Sequence, residues 1–438
     1  MNLSKKKVIY SKYLNWTYID IFLFLLGIVM IGFLPEHDLA LQSVGFFIVI
    51  ISLYLCYKFK DNELLLFLFA IIGFINISIG VSDGILKGIH VAEWQLQLRS
   101  TIYNVYTMKS VLLLLLVINI FLSYSWSKSL DNPLEFKKII KRDNFVISIT
   151  GTFIMYLILF TGYDFSAYNS NSYISNTNPL IEYAVVIFVF VWFYSGENKV
   201  LHYLSILYAI LYIFLSLTLG DRSASFLMVL ALYLLYIRKK SLRFWKVASL
   251  AVLAIVLANF FAEYREGMNL SIISSIENLM NRGLYSDTVS YSYYASITLS
   301  ATYHVEDTLI YFFEYLKTWF LGSSFDGKGN IVNYVKDNFF YNVGGGIYPA
   351  YFYFGLGYFG VLISGIALSL ILKYVYLSKN IYFFPIQILI PIMSLRWYLY
   401  GPTTLYRSIF IITSLLIIIC VVVDKLTKKK VYKKSQTS

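Results

Sequence analysis

The stretch "VLLLLLVINIFL" at 111–122 carries no charge and does not alternate, and it is one of about twelve such apolar runs in the chain. Strands of a transmembrane β-barrel alternate lipid-facing and lumen-facing residues over segments of about ten, so unbroken runs argue against that architecture. Helices of roughly 17–25 apolar residues match the thickness of a bilayer. The runs lie near 19–35, 40–57, 64–81, 107–125, 145–161, 179–195, 201–219, 223–237, 247–262, 346–372, 381–395 and 407–423, the eighth and eleventh being short. In hydrocarbon every backbone N–H and C=O needs a partner within the protein, which a helix supplies from its own backbone. The expected fold is therefore an all-α polytopic membrane protein with about twelve transmembrane helices. Composition agrees: 58% of residues are hydrophobic and 14% charged, where soluble domains carry about a quarter charged residues.

Lys and Arg are retained in cytoplasmic loops, so their distribution orients the chain. With Met1 inside, the inside segments are 1–18, 58–63, 126–144, 196–200, 238–246, 373–380 and 424–438, and they hold 25 of the 36 Lys and Arg residues. Both termini are expected in the cytoplasm. The net charge of +12 is then a topology signal, and a nucleic-acid partner is the poorer reading. The basic start followed by "IDIFLFLLGIVMIGFL" looks like a secretory signal, but no small-x-small cleavage site follows and further spans do, which makes it an uncleaved first helix. Cys56 and Cys420 both fall near cytoplasmic span ends, which argues against a disulfide or a cysteine-based metal site.

No internal repeat and no soluble domain with its own core is visible, so residues 1–438 read as a single integral membrane domain. Three external loops are long: about 82–106, about 162–178 and, the largest, 263–345. A structureless connection of that size is unusual in a compact protein, so short helices lying on the outer membrane surface are expected there. One can be drawn from Tyr303 to Phe320. Val305, Leu309, Phe312, Leu316 and Phe320 share one side, and His304, Asp307, Tyr311, Glu314 and Thr318 another. That polar side suits either a wet cavity or plain solvent. Just upstream, 283–303 is dense in Tyr and Ser; interfacial aromatic belts explain part of this, and packing of tyrosine rings on sugar faces is the alternative.

Charge is nearly absent from the middle of the spans; Asp20, Lys109 and Glu182 lie near span ends, where water is within reach. The polar chemistry gathers on the external face. Arginine is its informative residue, because a guanidinium stays charged and grips phosphate oxygens through paired N–H donors. Arg222, Arg396 and Arg407 stand at external span ends, and Arg265 and Arg282 in the large loop, where they could bind a pyrophosphate at headgroup depth. Each also has a plainer use, snorkelling to lipid phosphate. Arg222 sits in "LTLGDRSASFL" (217–227), where a neutral turn would have been simpler and where Asp221 can orient it. The candidate general bases are His304, Glu306 and Asp307. Gly344, Gly345 and Gly346 would let the loop fold tightly over the site. No metal-ligand spacing, phosphate-cradling glycine loop or GxSxG elbow is present, and no cofactor is called for.

Several stretches together resemble the Wzy-type polymerases of O-antigen and capsular polysaccharide repeat units. They are "LTLGDRSASFLMVLALYLLYIRKK" (217–240), the long loop leading into "GGGIYPAYFYFGLGYFGVLISGIALSLI" (344–371), and "LYRSIFIITSLL" (405–416), which is similar to that family's arginine-bearing final span. The similarity covers roughly 201–425. Some members pair a loop arginine with a glycine eleven residues on; here the positions eleven after Arg222, Arg265 and Arg282 are Tyr233, Ile276 and Tyr293. The resemblance implies a glycosyltransferase of the bacterial cytoplasmic membrane that moves a growing glycan from undecaprenyl pyrophosphate onto the next lipid-linked repeat unit at the external face. Its implied partners are the lipid-linked donor and acceptor, membrane lipid, and a flippase and a chain-length regulator of the same pathway. A ligase acting on finished glycan, a lipid-linked-oligosaccharide flippase and a different membrane glycosyltransferase with an acidic motif in its first external loop are the competing readings; against the last, that loop is only about "EHDLA" (36–40), too short to build a site.

The topology has a direct test. Cysteines introduced at Ser274 and Ser323 should react with an impermeant thiol reagent in intact spheroplasts, and protection of both until permeabilisation would overturn the orientation.

Overall fold

The computed structural model describes residues 3–85, 101–124, 126, 142–162, 179–218, 222–237, 249, 287–303, 308–322, 331 and 345–436. Among them the elements are helices, accompanied by one isolated bridge between Asp143 and Ser195. In chain order they are α1 (Leu3–Phe33), α2 (Asp38–Lys58), α3 (Glu63–Ile79) with a π-helical turn Gly80–Ile85, α4 (Thr101–Phe121), α5 (Phe145–Gly162), α6 (Ala184–Tyr194) and α7 (Lys199–Thr218). There follow α8 (Arg222–Leu232), α9 (Asp287–Tyr303), α10 (Leu309–Leu321), α11 (Tyr348–Leu377), α12 (Phe384–Ile392), α13 (Ser394–Leu399), a π-helix Thr404–Ile412, and α14 (Thr413–Gln436).

Among the described residues, eight helices are long and apolar enough to cross a membrane. Three more of the expected runs form shorter apolar helices, Ala184–Tyr194, Ser223–Tyr236 and Ile381–Ile392. Of the run 247–262, only residue 249 is among the described residues. Phe33, Phe153 and Tyr203 are 83%, 69% and 72% exposed, with many aliphatic side chains around the helices exposed beside them. An apolar surface of that extent suits lipid rather than water.

The chain divides into two compact units, one of residues 1–133, 242–378 and 394–403, the other of 134–241, 379–393 and 404–438. In the first unit α4 is the hub, packing on α1, α2, α9 and α11. Its segment Val111–Ile118 is buried throughout, so this unbroken apolar run is the core of this unit.

Side-chain contacts fix the helix directions. Along α1, Asp20 receives the backbone N–H of Tyr124 at 3.1 Å, while the Leu34 carbonyl accepts from Lys109 Nζ at 2.7 Å, so α1 and α4 are antiparallel. Along α11, Tyr353 stacks near Tyr106 and Gly365 lies against Val117, so α11 and α4 are parallel. One end of this unit therefore gathers Asp20, Lys58, Asn119 and Tyr124, the end that the basic-residue split assigns to the cytoplasm. The other gathers Leu34, Glu36, Tyr106 and Tyr353.

Asp20 does not reach water as its place near a span end suggests. It is fully buried, as is Lys58, and the two form an ion pair at 2.9 Å. Lys58 Nζ also donates to the Asn119 backbone and side-chain oxygens, both at 2.8 Å, so all three ammonium hydrogens have acceptors. Tyr54 donates to Asp20 Oδ1 at 2.9 Å, and Trp16 stacks on Tyr124 at 4.8 Å. α2 then crosses the π-turn after α3 backbone to backbone. A Cβ on Gly45 would stand 2.6 Å from the Gly80 carbonyl oxygen and 2.8 Å from Gly84 Cα. Small residues four apart permit such approach between membrane helices.

The expected surface helices of 263–345 differ in their placement. α9 packs on α3, α4 and α11, and most of its side chains are buried. It can be buried because its hydroxyls bond back to the preceding turn: Ser296 to the Ser292 carbonyl at 2.7 Å, Thr298 to Tyr294 at 3.0 Å and Thr302 to Thr298 at 2.9 Å. α10 follows the expectation more closely, with Leu309 and Phe320 exposed. Its packing stripe is Phe312, Tyr315 and Thr318, so Thr318 lies inward, away from the wet side expected for it.

In the second unit the cationic end is tied by Arg142 and Asn144. Arg142 pairs with Asp424 at 2.7 Å and lies over the Tyr382 ring at 4.3 Å; Asn144 donates to Asp424 at 3.1 Å and to Thr427 at 3.0 Å.

Removing one partner of a buried ion pair strands the other, at a cost of about 3–5 kcal/mol. Lys58→Met should therefore lower the unfolding midpoint in detergent by that equivalent, and Asp20→Asn with Lys58→Met should recover part of it. Equal loss in the single and double variants would show that the pair contributes through shape alone.

Candidate functional site

Two groups of side chains meet along the first two turns of α11, at the end of the first unit opposite the buried ion pair. The first surrounds Arg396. The run 381–395 does not continue as one span: Pro391 sits inside α12, the helix ends at Met393, and α13 restarts for six residues. Arg396 stands on α13, whose neighbouring Trp397 and Tyr398 are fully buried. Tyr398 stacks on Tyr348 and donates to Asn76 Oδ1 of α3 at 2.8 Å, which anchors the short helix. The half-buried Arg396 guanidinium lies over the Tyr400 ring, 5.0 Å from its centroid. A guanidinium placed over an aromatic ring is held there by cation–π attraction.

Tyr400 is itself seated on glycine. Gly345 has φ +80°, and a Cβ there would stand 2.9 Å from the Tyr400 ring and 3.2 Å from its Cα. Gly345 is thus required twice, for a left-handed backbone and for the close approach. Gly346 lies against Tyr351 and Ser296, and the Ser296 hydroxyl receives the Ile347 N–H at 2.8 Å. Tyr351, buried, donates to the Tyr400 carbonyl at 3.4 Å and stacks on Tyr315 at 5.2 Å. The Tyr315 hydroxyl meets Thr403 Oγ1 at 2.8 Å.

The second group surrounds the kink of α11 at Leu356 and Gly357, the latter with φ +60°. Tyr353 stacks near Tyr106 at 6.4 Å and meets Tyr303 and Tyr358 edge to face at 5.2 and 5.0 Å. The Glu36 carboxylate is within electrostatic reach of the Tyr106 hydroxyl. Glu36 is exposed on the short connection between α1 and α2. Lys109, 4% exposed, reaches from α4 to the Leu34 carbonyl in the same connection. Like Asp20, it lies near a span end yet is buried.

Of the expected site residues, the structure brings together Arg396, Gly345 and Gly346. Arg407 is half-buried on the π-helix Thr404–Ile412, and Arg222 opens α8; both belong to the second unit. Asp221, Arg265, Arg282, His304, Glu306, Asp307 and Gly344 lie outside the described residues. The residues that flank 304–307 are both held to α11: Tyr303 against Tyr353 and Gly357, and Thr308 by a hydrogen bond to the Phe354 carbonyl. Sequence reasoning missed Glu36, Tyr106, Tyr351 and Tyr400. Of these only Glu36 had a signal, in "EHD" at 36–38, on a connection that reads from the sequence as too short to build a site.

No family model, no curated protein and no solved structure matches the chain.

Gly345→Val should cost about 1–3 kcal/mol through backbone strain and dislodge Tyr400. Trypsin should then cut after Arg396 faster in Gly345→Val than in the wild type at equal temperature. Unchanged cleavage and an unchanged melting point would mean that the glycine is an ordinary hinge.

Proposed function

We propose that the protein is a glycosyltransferase of the bacterial cytoplasmic membrane that polymerises undecaprenyl-pyrophosphate-linked repeat units into surface polysaccharide at the external face. The observation that carries this reading is Arg396 stacked on Tyr400 at a helix break, among Tyr315, Tyr351 and Thr403. These groups lie at the end of the first unit that the charge distribution assigns to the outside. A guanidinium suits the pyrophosphate of a lipid carrier, and amphipathic rings suit sugar faces.

The reaction asks little more. The acceptor sugar's hydroxyl oxygen attacks the anomeric carbon of the donor. The bond from that carbon to the phosphate oxygen breaks, the electron pair leaves with the pyrophosphate, and a basic side chain takes the hydroxyl proton. Arg396 would stabilise the charge developing on the leaving group, a contribution of the kind made by a preorganised donor at an oxyanion. The sequence resemblance to Wzy-type polymerases points to the same chemistry from other residues.

A second reading, a flippase for the same lipid-linked glycan, draws on one feature. Helices interrupted at 356–357 and at 393 are of the type that forms substrate sites in transporters.

Deletion of the gene separates these readings on a gel of surface glycan. Single-repeat material indicates a polymerase, loss of all surface glycan a flippase, and long unattached glycan a ligase. Within the polymerase reading, Arg396→Lys keeps the charge but loses the bidentate fork, and should cut polymerisation by about 10²–10³-fold. Wild-type chain lengths at equal membrane abundance would reduce Arg396 to a snorkelling residue.

A further inference from the structure

We infer that Asn76 is a positioning residue for Arg396: through Tyr398 it fixes the rotation of α13, and with it the direction in which the guanidinium points. The inference rests on the reading in which Arg396 binds the pyrophosphate of a lipid carrier, and deepens it. α13 has six residues, about 9 Å of helix, and a helix that short has no stability of its own. The chain turns at both of its ends. α12 stops at Met393 just before it, and Gly401, with φ +108°, follows just after it. Contacts with other helices must therefore set how α13 is rotated.

Three such contacts come from Trp397 and Tyr398. Trp397 meets the Tyr348 ring edge to face at 5.7 Å, and Tyr398 lies nearly parallel to that ring, 6.4 Å away and inclined by 5°. Ring contacts press a helix against its neighbour but tolerate sliding. A hydrogen bond does not, because it weakens steeply as its angle bends. The one that Tyr398 makes is to Asn76 Oδ1, at 2.8 Å. Residues two apart stand on roughly opposite sides of a helix. The exposures agree, with Tyr398 fully buried and Arg396 half-buried. Any turn of α13 that lengthens the bond swings the guanidinium through the same angle.

Asn76 is a fixed point to hold from. It is fully buried in α3, and its carbonyl accepts the Gly80 N–H where the π-helical turn begins. That turn is locked on α2, since a Cβ on Gly80 would stand 2.8 Å from the Gly45 carbonyl oxygen. The amide is also costly where it stands. Its Oδ1 serves Tyr398, and its Nδ2 has no partner among the described residues. Turned the other way, the amide would leave its oxygen alone instead. A buried polar atom without a partner opposes folding, and a leucine would fill the place without that penalty. What the amide adds is direction, and the element it directs carries Arg396.

The test uses the full-length protein purified in detergent, with undecaprenyl pyrophosphate as the binding probe and thermal unfolding measured beside it. Asn76→Leu should weaken binding about tenfold, as for a misaligned charge-assisted contact. Asn76→Leu and Tyr398→Phe each leave a buried polar group alone, so each should lower the melting point. The double variant leaves neither, and should recover the melting point but not the binding. A flexible lysine finds a phosphate whatever the rotation of α13. In the Arg396→Lys background, Asn76→Leu should therefore change binding by less than about twofold. Wild-type binding in Asn76→Leu overturns the inference. Recovery of binding together with the melting point in the double variant also overturns it, since the pair would then serve stability alone. An equal tenfold loss beside Arg396→Lys does the same, because Asn76 would then act without Arg396. Failure of the glycan-transfer reading looks different: the wild-type protein would not bind undecaprenyl pyrophosphate, and the inference would fall with it.

Discussion

A charged ammonium in an apolar bundle must have an anion and three acceptors, and the first unit is arranged around meeting that demand for Lys58. Its partners come from α1 (Asp20), from α4 (both oxygens of Asn119) and, through Asp20, from the backbone at Tyr124. Three helices are thereby locked in depth at one end, because sliding any of them by a turn would strand a buried charge. The opposite end follows arithmetically. Asp20 to Leu34 is fourteen residues, about 21 Å of helix, and Asn119 to Tyr106 is thirteen, about 20 Å. The α1–α2 connection therefore arrives level with Tyr106, and Lys109, one turn lower, reaches up to the Leu34 carbonyl. The place of Glu36 is thus a consequence of a contact near the other end of the bundle.

The second half of the site depends on a different economy. α11 runs parallel to α4 and meets it closely along its length, with Gly365 against Val117. At its upper turns the surface changes to rings: Tyr348, Tyr351 and Tyr353 are each no more than 2% exposed. Tyrosine buries as much apolar area as phenylalanine and still offers one hydroxyl. A chain with 40 tyrosines and few charges can therefore build a polar cavity wall without burying further ions.

What the sequence made legible follows from this division. Helix existence came from length and apolarity alone, and α4 shows why: eight consecutive apolar residues, 111–118, must leave water for a core or for lipid, and here they form a core. Breaks were less visible. Pro391 marks one, but the kink at 356–357 is set by tertiary contact, since Gly357 faces the Tyr303 ring, and no local pattern records a partner fifty residues away. α9 misled for a physical reason: serine and threonine look solvated in a sequence, yet hydroxyls that bond to carbonyls four residues back carry their own satisfaction into the interior. Arg396 was legible as a cation near a span end, but its platform was not, because Tyr400 and Gly345 are joined only in space.

The irregular backbone explains why the hydroxyls collect where they do. Non-helical chain at membrane depth is tolerated only where other protein groups satisfy it, and each interruption in the first unit has such a donor or acceptor. Beside the kink at Gly357, the Phe354 carbonyl accepts from the Thr308 hydroxyl. The start of α11 presents the Ile347 N–H, and Ser296 accepts it. The end of α13 presents the Tyr400 carbonyl, and Tyr351 donates to it. Breaks, hydroxyls and aromatic rings are thus one feature seen three ways: the breaks need neutral hydrogen-bonding groups, and those groups come on rings that fill the space a broken helix leaves. Neutral donors and acceptors on flat apolar surfaces are also what a sugar requires, so the constraint that lets these helices break agrees with the glycan-transfer reading proposed above.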